Sequence, residues 1–246
     1  MIRYLILFLI LSPITQARVF DLTKQSIGTY LRGTYGQSGL DKKAYEDSSG
    51  ANTLFSDSVS TATSGEFGVY FGAQNLGFRI SAELYQPDKM KGIKGKDSGG
   101  SDLMDLTSGV SVQIYKVGLE YSWFLSPKSK FYTVLSVGQA TVKLTNEYSN
   151  ISGYAVSDFT EKSSESLVMG EIQLGYEYNF SADTTFLLDL GYRQLQAKSL
   201  KYSSSVTSFL GNVNEGDVVL NASGNNRTLD LGGLYLGFGF RFYINQ

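Results

Sequence analysis

The side chains best placed to do chemistry are acids and arginines that recur at every second residue beside apolar neighbours. Glu66, Glu83, Glu120, Glu171, Glu177 and Asp189 each stand opposite an apolar face, and Arg32, Arg79, Arg193 and Arg241 share their phase. Carboxylates of this kind could serve as an acid/base pair, or they could neutralise the four arginines. The chain has no histidine, which removes the commonest general base and the commonest transition-metal ligand together. It also has no cysteine, hence no thiol nucleophile and no disulfide framework. Ion pairing is therefore the expected chemistry, and no enzyme activity, cofactor or metal is expected. Asp97, Asp102 and Asp105 lie near glycines, but their spacing fits no calcium loop. Lys89, Lys91, Lys94 and Lys96 could grip phosphates, although a solvated loop explains them as well.

The elements that must position these groups show a period of two. In GEFGVYFGAQ, Phe67, Val69, Phe71 and Ala73 share one face and Glu66, Gly68, Tyr70 and Gly72 the other. LGFRISAELY follows after Gln74-Asn75, with Leu76, Phe78, Ile80, Ala82 and Leu84 opposite Arg79, Ser81 and Glu83, which makes a hairpin. KVGLEYSWFL, LVMGEIQLGYEYNF and TTFLLDLGYRQL repeat the pattern, and the first and last strands cover 27–36 and about 228–244. The strand from Phe131 to about Leu144 carries apolar residues in both phases, so its facing stays open.

That makes eight strands. Connections after the second, fourth and sixth are two to five residues long. Those after the first, third, fifth and seventh run to about 20 to 30 residues rich in Ser, Asn, Asp, Gly and Lys. In an antiparallel up-and-down sheet, one end then carries tight turns and the other long polar loops, the pattern of outer-membrane barrels. Phe71, Phe78, Tyr121, Trp123, Tyr178, Phe180, Phe186 and Phe242 all lie near the short-turn end, where they would form an interfacial girdle. The competing arrangement is a soluble β-sandwich with one apolar face per strand.

At the N-terminus, Arg3, an apolar run over Leu5–Leu11 and the small-residue site ending at Ala17 have the layout of a secretory signal peptide, residues 1–17. The remaining 229 residues, 18–246, carry 20 Lys+Arg against 23 Asp+Glu, a net charge of −3 that gives no reason to expect nucleic acid. No apolar run approaches the length of a membrane-spanning helix.

The pattern resembles the small outer-membrane β-barrel family of the OmpA barrel domain, OmpX and OmpW. Its most specific part is Tyr235-Leu236-Gly237-Phe238-Gly239-Phe240-Arg241-Phe242, similar to the family's C-terminal assembly signal, with Gly237, Phe240 and Phe242 at the defining positions. Tyr235 stands where a more polar residue is usual, and four residues follow the final aromatic. The resemblance implies insertion by the outer-membrane assembly machinery, with outer-membrane lipid and lipopolysaccharide as surroundings. The expected fold is an eight-stranded antiparallel up-and-down transmembrane β-barrel with four long extracellular loops. Ten strands is the alternative if 205–223 also crosses the membrane, instead of projecting above it as a hairpin. In an eight-stranded barrel the interior is just wide enough for side chains to fill. The ten charged residues named first would line that lumen as an ion-paired plug, with Arg241 pointing inward beside an acid that remains unnamed. The expected role is a structural or surface-interaction scaffold; the alternative is a narrow channel for small polar or apolar solutes.

Overall fold

The structure, a computed structural model, describes residues 26–40, 59–221 and 223–244. The expected signal segment 1–17 lies outside the described residues. Eight long antiparallel strands form the wall: β1 Ser26–Leu40, β2 Val59–Ala73, β3 Leu76–Pro87, β4 Asp102–Ser126, β5 Ser129–Ser149, β6 Phe159–Asn179, β7 Thr184–Gln194 and β8 Gly233–Ile244. Each pairs with its successor, and β8 pairs with β1 from Ile27 opposite Ile244 to Gly36 opposite Tyr235, which closes the ring. Closure leaves the ring no free edge over that stretch. Among the described residues, no helix is long and apolar enough to cross a membrane.

Around the short-turn end, the outward phase is apolar. Leu76, Phe78, Ile80 and Leu84 of β3 and Val117, Leu119, Tyr121, Trp123 and Leu125 of β4 are all exposed, with Tyr115 at the upper limit. The exposed apolar stretch of β4, from Tyr115 to Leu125, matches the 9–11 residues that a tilted strand needs to cross a hydrocarbon core.

Above that belt the pattern inverts without any change of phase. In β5 the outward series Phe131, Leu135 and Val137 gives way to Gln139, Thr141, Lys143, Thr145 and Glu147. The inward series becomes Ala140, Val142 and Leu144, all buried. This explains why both phases of β5 carry apolar residues: each phase is apolar over a different half. β4 has 25 residues, roughly 80 Å of chain, far more than one crossing requires. Its upper part places Met104, Leu106, Val110 and Val112 in a water-excluding core of the soluble kind.

Two of the long connections are consequently shorter than expected. β4 begins at Asp102 and β5 continues to Ser149, leaving 88–101 and 150–158 between strands. Residues Met90–Lys96 form a further strand against β4, so the lysine segment is largely a hairpin. Pro87 is the last residue of β3 and does not fall between strands. The segment 195–232 adds no strand to the ring, so the ten-stranded alternative is not adopted. Nor does it simply project: Val206–Ser208 and Gly211–Val213 make a small hairpin, while Leu195, Ala197, Leu200, Tyr202, Val219, Leu229 and Leu231 are buried in the upper core. The segment thus packs into the upper core, with each fully buried aliphatic side chain contributing about 1.5–3 kcal/mol.

Candidate functional site

Inside the belt, the inward phase carries charge. The ten residues read from the alternation, Arg32, Glu66, Arg79, Glu83, Glu120, Glu171, Glu177, Asp189, Arg193 and Arg241, all lie in the interior at 5 % exposure or less. Lys116 and Lys130 join them, equally buried, so that six cations face six carboxylates.

The pairs form two layers. In the upper one, the Lys116 ammonium sits among three carboxylates, 2.8 Å from Glu83, 2.8 Å from Glu171 and 3.1 Å from Glu66. Arg32 bridges Glu66 at 2.6 Å and Asp189 at 3.0 Å, and Arg193 joins Glu83 and Glu171. In the lower layer Glu120 accepts from Arg79 at 2.7 Å, from Lys130 at 2.7 Å and from Arg241 at 3.0 Å. Glu177 accepts from Arg241 at 2.8 Å and from the Tyr243 hydroxyl at 2.6 Å. Gln173 links the layers, accepting from Arg79 and donating to Glu171. A lone buried ion would cost several kcal/mol, so the network holds together only because each charge has partners.

Tyrosines fill the space between the charges. The Arg241 guanidinium lies 3.9 Å from the centre of the Tyr70 ring, Arg193 lies 4.7 Å from Tyr85 and Arg79 lies 4.9 Å from Tyr132. These are cation–π distances. The rings fit because glycines lie beneath them on the neighbouring strand. A Cβ at Gly68 would strike Tyr30, one at Gly175 would strike Tyr132, and one at Gly191 would strike Tyr235. Each of these glycines stands directly opposite its tyrosine in register. The chain's wealth of both residues reflects this pairing of an inward ring with an inward gap.

Above the network a second buried pair fastens the 195–232 segment. Arg227 lies 2.8 Å from Glu161 of β6, which also accepts from Asn146 at 3.1 Å. Burial opposes the Arg227 charge, yet Glu161 raises its pKa. Burial first, then Glu161, pushes the Tyr202 phenol upward.

Among the aromatics expected in a girdle, Phe71, Phe78, Tyr121, Trp123, Tyr178, Phe180 and Phe242 are exposed on the outer wall. Phe186 is half-buried, its ring 5.8 Å from Phe240. Of the residues expected in an assembly signal, Phe240 and Phe242 face outward, whereas Gly237 faces inward where a Cβ would meet the Asp189 carboxylate. Gly237 thus has a local reason to be glycine: it makes room for the acid that holds Arg32. The lysine segment is partly self-neutralised, since Lys94 and Lys96 pair with Asp102 and Asp105. The Lys94 bond and one from Asn150 hold the exposed Asp105 carboxyl below its ordinary range.

A hollow of about 530 Å³ is an apolar trough on the outer wall, floored by Gly33, Gly65 and Ala82 and flanked by Phe67, Leu84 and Phe238. It is not a passage through the lumen, and the charged network lies behind it.

No protein-family model and no curated protein matches the chain. Solved structures do. A major outer membrane protein from Thermus thermophilus matches with a TM-score of 0.51 at 11 % identity, over 89 % of this chain and 99 % of its own. OprG from Pseudomonas aeruginosa matches at 0.46 and 14 % identity, over 91 % and 98 %. Neisserial surface protein A matches at 0.42 and 11 % identity, over 87 % and 96 %. At such identities the likeness is one of fold, and only the first score is high enough to argue from. Together with the closed ring of eight antiparallel strands, it establishes that the chain has the fold of the small outer-membrane β-barrels.

Proposed function

We propose that this chain is an integral outer-membrane β-barrel with a closed lumen, a structural scaffold that carries a compact folded cap above the membrane. In this reading residues 1–17 export the chain, Gly237, Phe240 and Phe242 are read by the assembly machinery, and the exposed apolar belt meets lipid. The observation that carries it is the burial of the twelve charges inside the belt, each against partners of opposite sign. A water-filled pore would leave such groups hydrated. Here they occupy the space a solute would need, and the upper core stands above them. No catalysis is assigned, because neither histidine nor cysteine is present.

The test is reconstitution. The refolded full chain should resist carbonate extraction from vesicles, migrate differently on gels before and after boiling, and leave the vesicles impermeable to small sugars. Extraction into aqueous buffer without detergent would contradict the membrane assignment, and swelling in sugar solutions would contradict the closed lumen.

A further inference from the structure

We infer that the outer wall of β4, β5 and β6 just above the apolar belt is a binding surface for the phosphorylated headgroups of anionic lipids. The inference rests on the membrane reading above. Strand register brings together lysines that are far apart in sequence. One rung carries Lys201, Ser164, Lys143 and Ser111 side by side, and the next rung up carries Lys162, Thr145 and Gly109. The Lys89 stem lies over Gly109, 3.5 Å from where a Cβ would be. All four lysines are exposed. Between Lys89 and Lys143 the wall has a hollow of about 320 Å³, lined by the hydroxyls of Thr107, Ser111 and Thr145, with Glu147 at its edge.

Lys116 and Lys130 are neutralised in the lumen, and Lys94 and Lys96 by Asp102 and Asp105. Among the described residues, none of Lys89, Lys143, Lys162 and Lys201 has a carboxylate within ion-pairing distance. Among the described residues Lys91, Lys128 and Lys198 form no ion pair either, so what sets this surface apart is that strand register gathers its lysines on two adjacent rungs. The acids nearest in register are Glu147, one rung higher opposite Thr107, and Glu165, which is bonded to the Ser199 amide. Below the lysine rung comes a polar rung of Ser166, Thr141 and Gln113, and below that the belt begins at Val168 and Tyr115. Lys143 and Lys201 therefore stand about 14 Å along the strand above the belt, about 10 Å in height at ordinary barrel tilt, with Lys162 and the Lys89 stem one rung higher at about 20 Å along the strand. Their stems can bend back toward the membrane. That is the depth at which headgroup phosphates lie, and a cationic row there attracts anionic lipid.

The experiment uses the refolded full chain in neutral maltoside micelles, with bound lipid counted by native mass spectrometry. The probes are lysophosphatidylglycerol, zwitterionic lysophosphatidylcholine and inorganic phosphate. The wild type should bind the anionic lysolipid about tenfold or more tightly than the zwitterionic one, and lose that preference in high salt. Lys143→Gln should weaken the preference, and Lys143→Gln/Lys162→Gln/Lys201→Gln should abolish it, while Lys91→Gln leaves it intact. Should the triple variant fail to refold, the single exposed Lys143→Gln decides. Equal binding of the two lysolipids, a preference that survives the lysine substitutions, or displacement of the anionic lysolipid by millimolar phosphate would overturn the inference. The first two outcomes deny headgroup selection, and the third marks a simple anion site. A chain that stays in micelles and remains heat-modifiable without lipid preference loses only this inference. A chain soluble without detergent loses the membrane reading itself.

Discussion

Arg241 of β8 and Glu120 of β4 stand four strands apart in a ring of eight, on opposite walls, and meet at 3.0 Å across the barrel interior. The last strand is thereby tied to the middle of the chain by charge as well as by its hydrogen-bonded neighbours. Removing Glu120 takes from Arg79 the carboxylate it pairs with, and removing Arg241 leaves Glu120 and Glu177 short of opposing charge, so Arg241→Leu and Glu120→Gln should each cost about 3–5 kcal/mol. The measurement is urea unfolding in lipid vesicles. In the double variant the cost should fall below the sum of the two, because the Arg241–Glu120 contact that each single variant breaks is then lost only once.

Gly175→Ala tests the tyrosine–glycine fit. The added methyl would collide with the fully buried Tyr132 ring, and overpacking of this kind costs about 1–3 kcal/mol. Gly65→Ala is the control, since a Cβ there meets nothing within 4 Å. A lower unfolding midpoint for the first variant and little change for the second is the expected result.

The inversion above the belt makes a second comparison. Leu106 is buried in the upper core, whereas Leu119 is 65 % exposed on the belt. Leu106→Ala should cost about 2–5 kcal/mol through the cavity it opens and expose the 195–232 segment to protease. Leu119→Ala should leave the proteolysis pattern unchanged. Arg227→Gln should loosen the same segment, because Glu161 then loses its buried partner.

The hairpin at Met90–Lys96 should respond to acid. Hydrogen bonds from Lys94 and Asn150 depress the Asp105 pKa. Their contribution is therefore present above the unfolded-state carboxylate value and lost as pH falls through the depressed one. Amide exchange in Met90–Lys96, corrected for intrinsic rate, should speed up over that acidic window. Asp105→Asn should remove the dependence.

How much of this was legible in the sequence follows from the physics of alternation. Within the belt, apolar-out and charged-in reads directly, which is why Arg241 could be placed inside from its phase alone. Lys116 and Lys130 obey the same phase but were missed, one at the end of a run and one within the SPKSK turn. Lys130 is the second residue of β5 and faces Glu120. The partners themselves were not legible, because register and barrel closure choose them. The upper core was hidden for another reason. Met104, Leu106, Val110 and Val112 alternate cleanly, but their outward neighbours are Asp105, Thr107, Gly109 and Ser111, a composition that reads as loop. A strand that is inside-out in its lower half and ordinary in its upper half averages to no clear face.

The proposed closed lumen is tested most directly by single-channel recording of the purified full chain in a planar bilayer. The wild type should show no steady conductance, and Glu177→Ala or Arg193→Ala, where part of the network is removed, brief openings at most. A steady wild-type conductance that changes on either substitution would contradict the closed lumen, because ions would then be passing through the space these charges are held to fill.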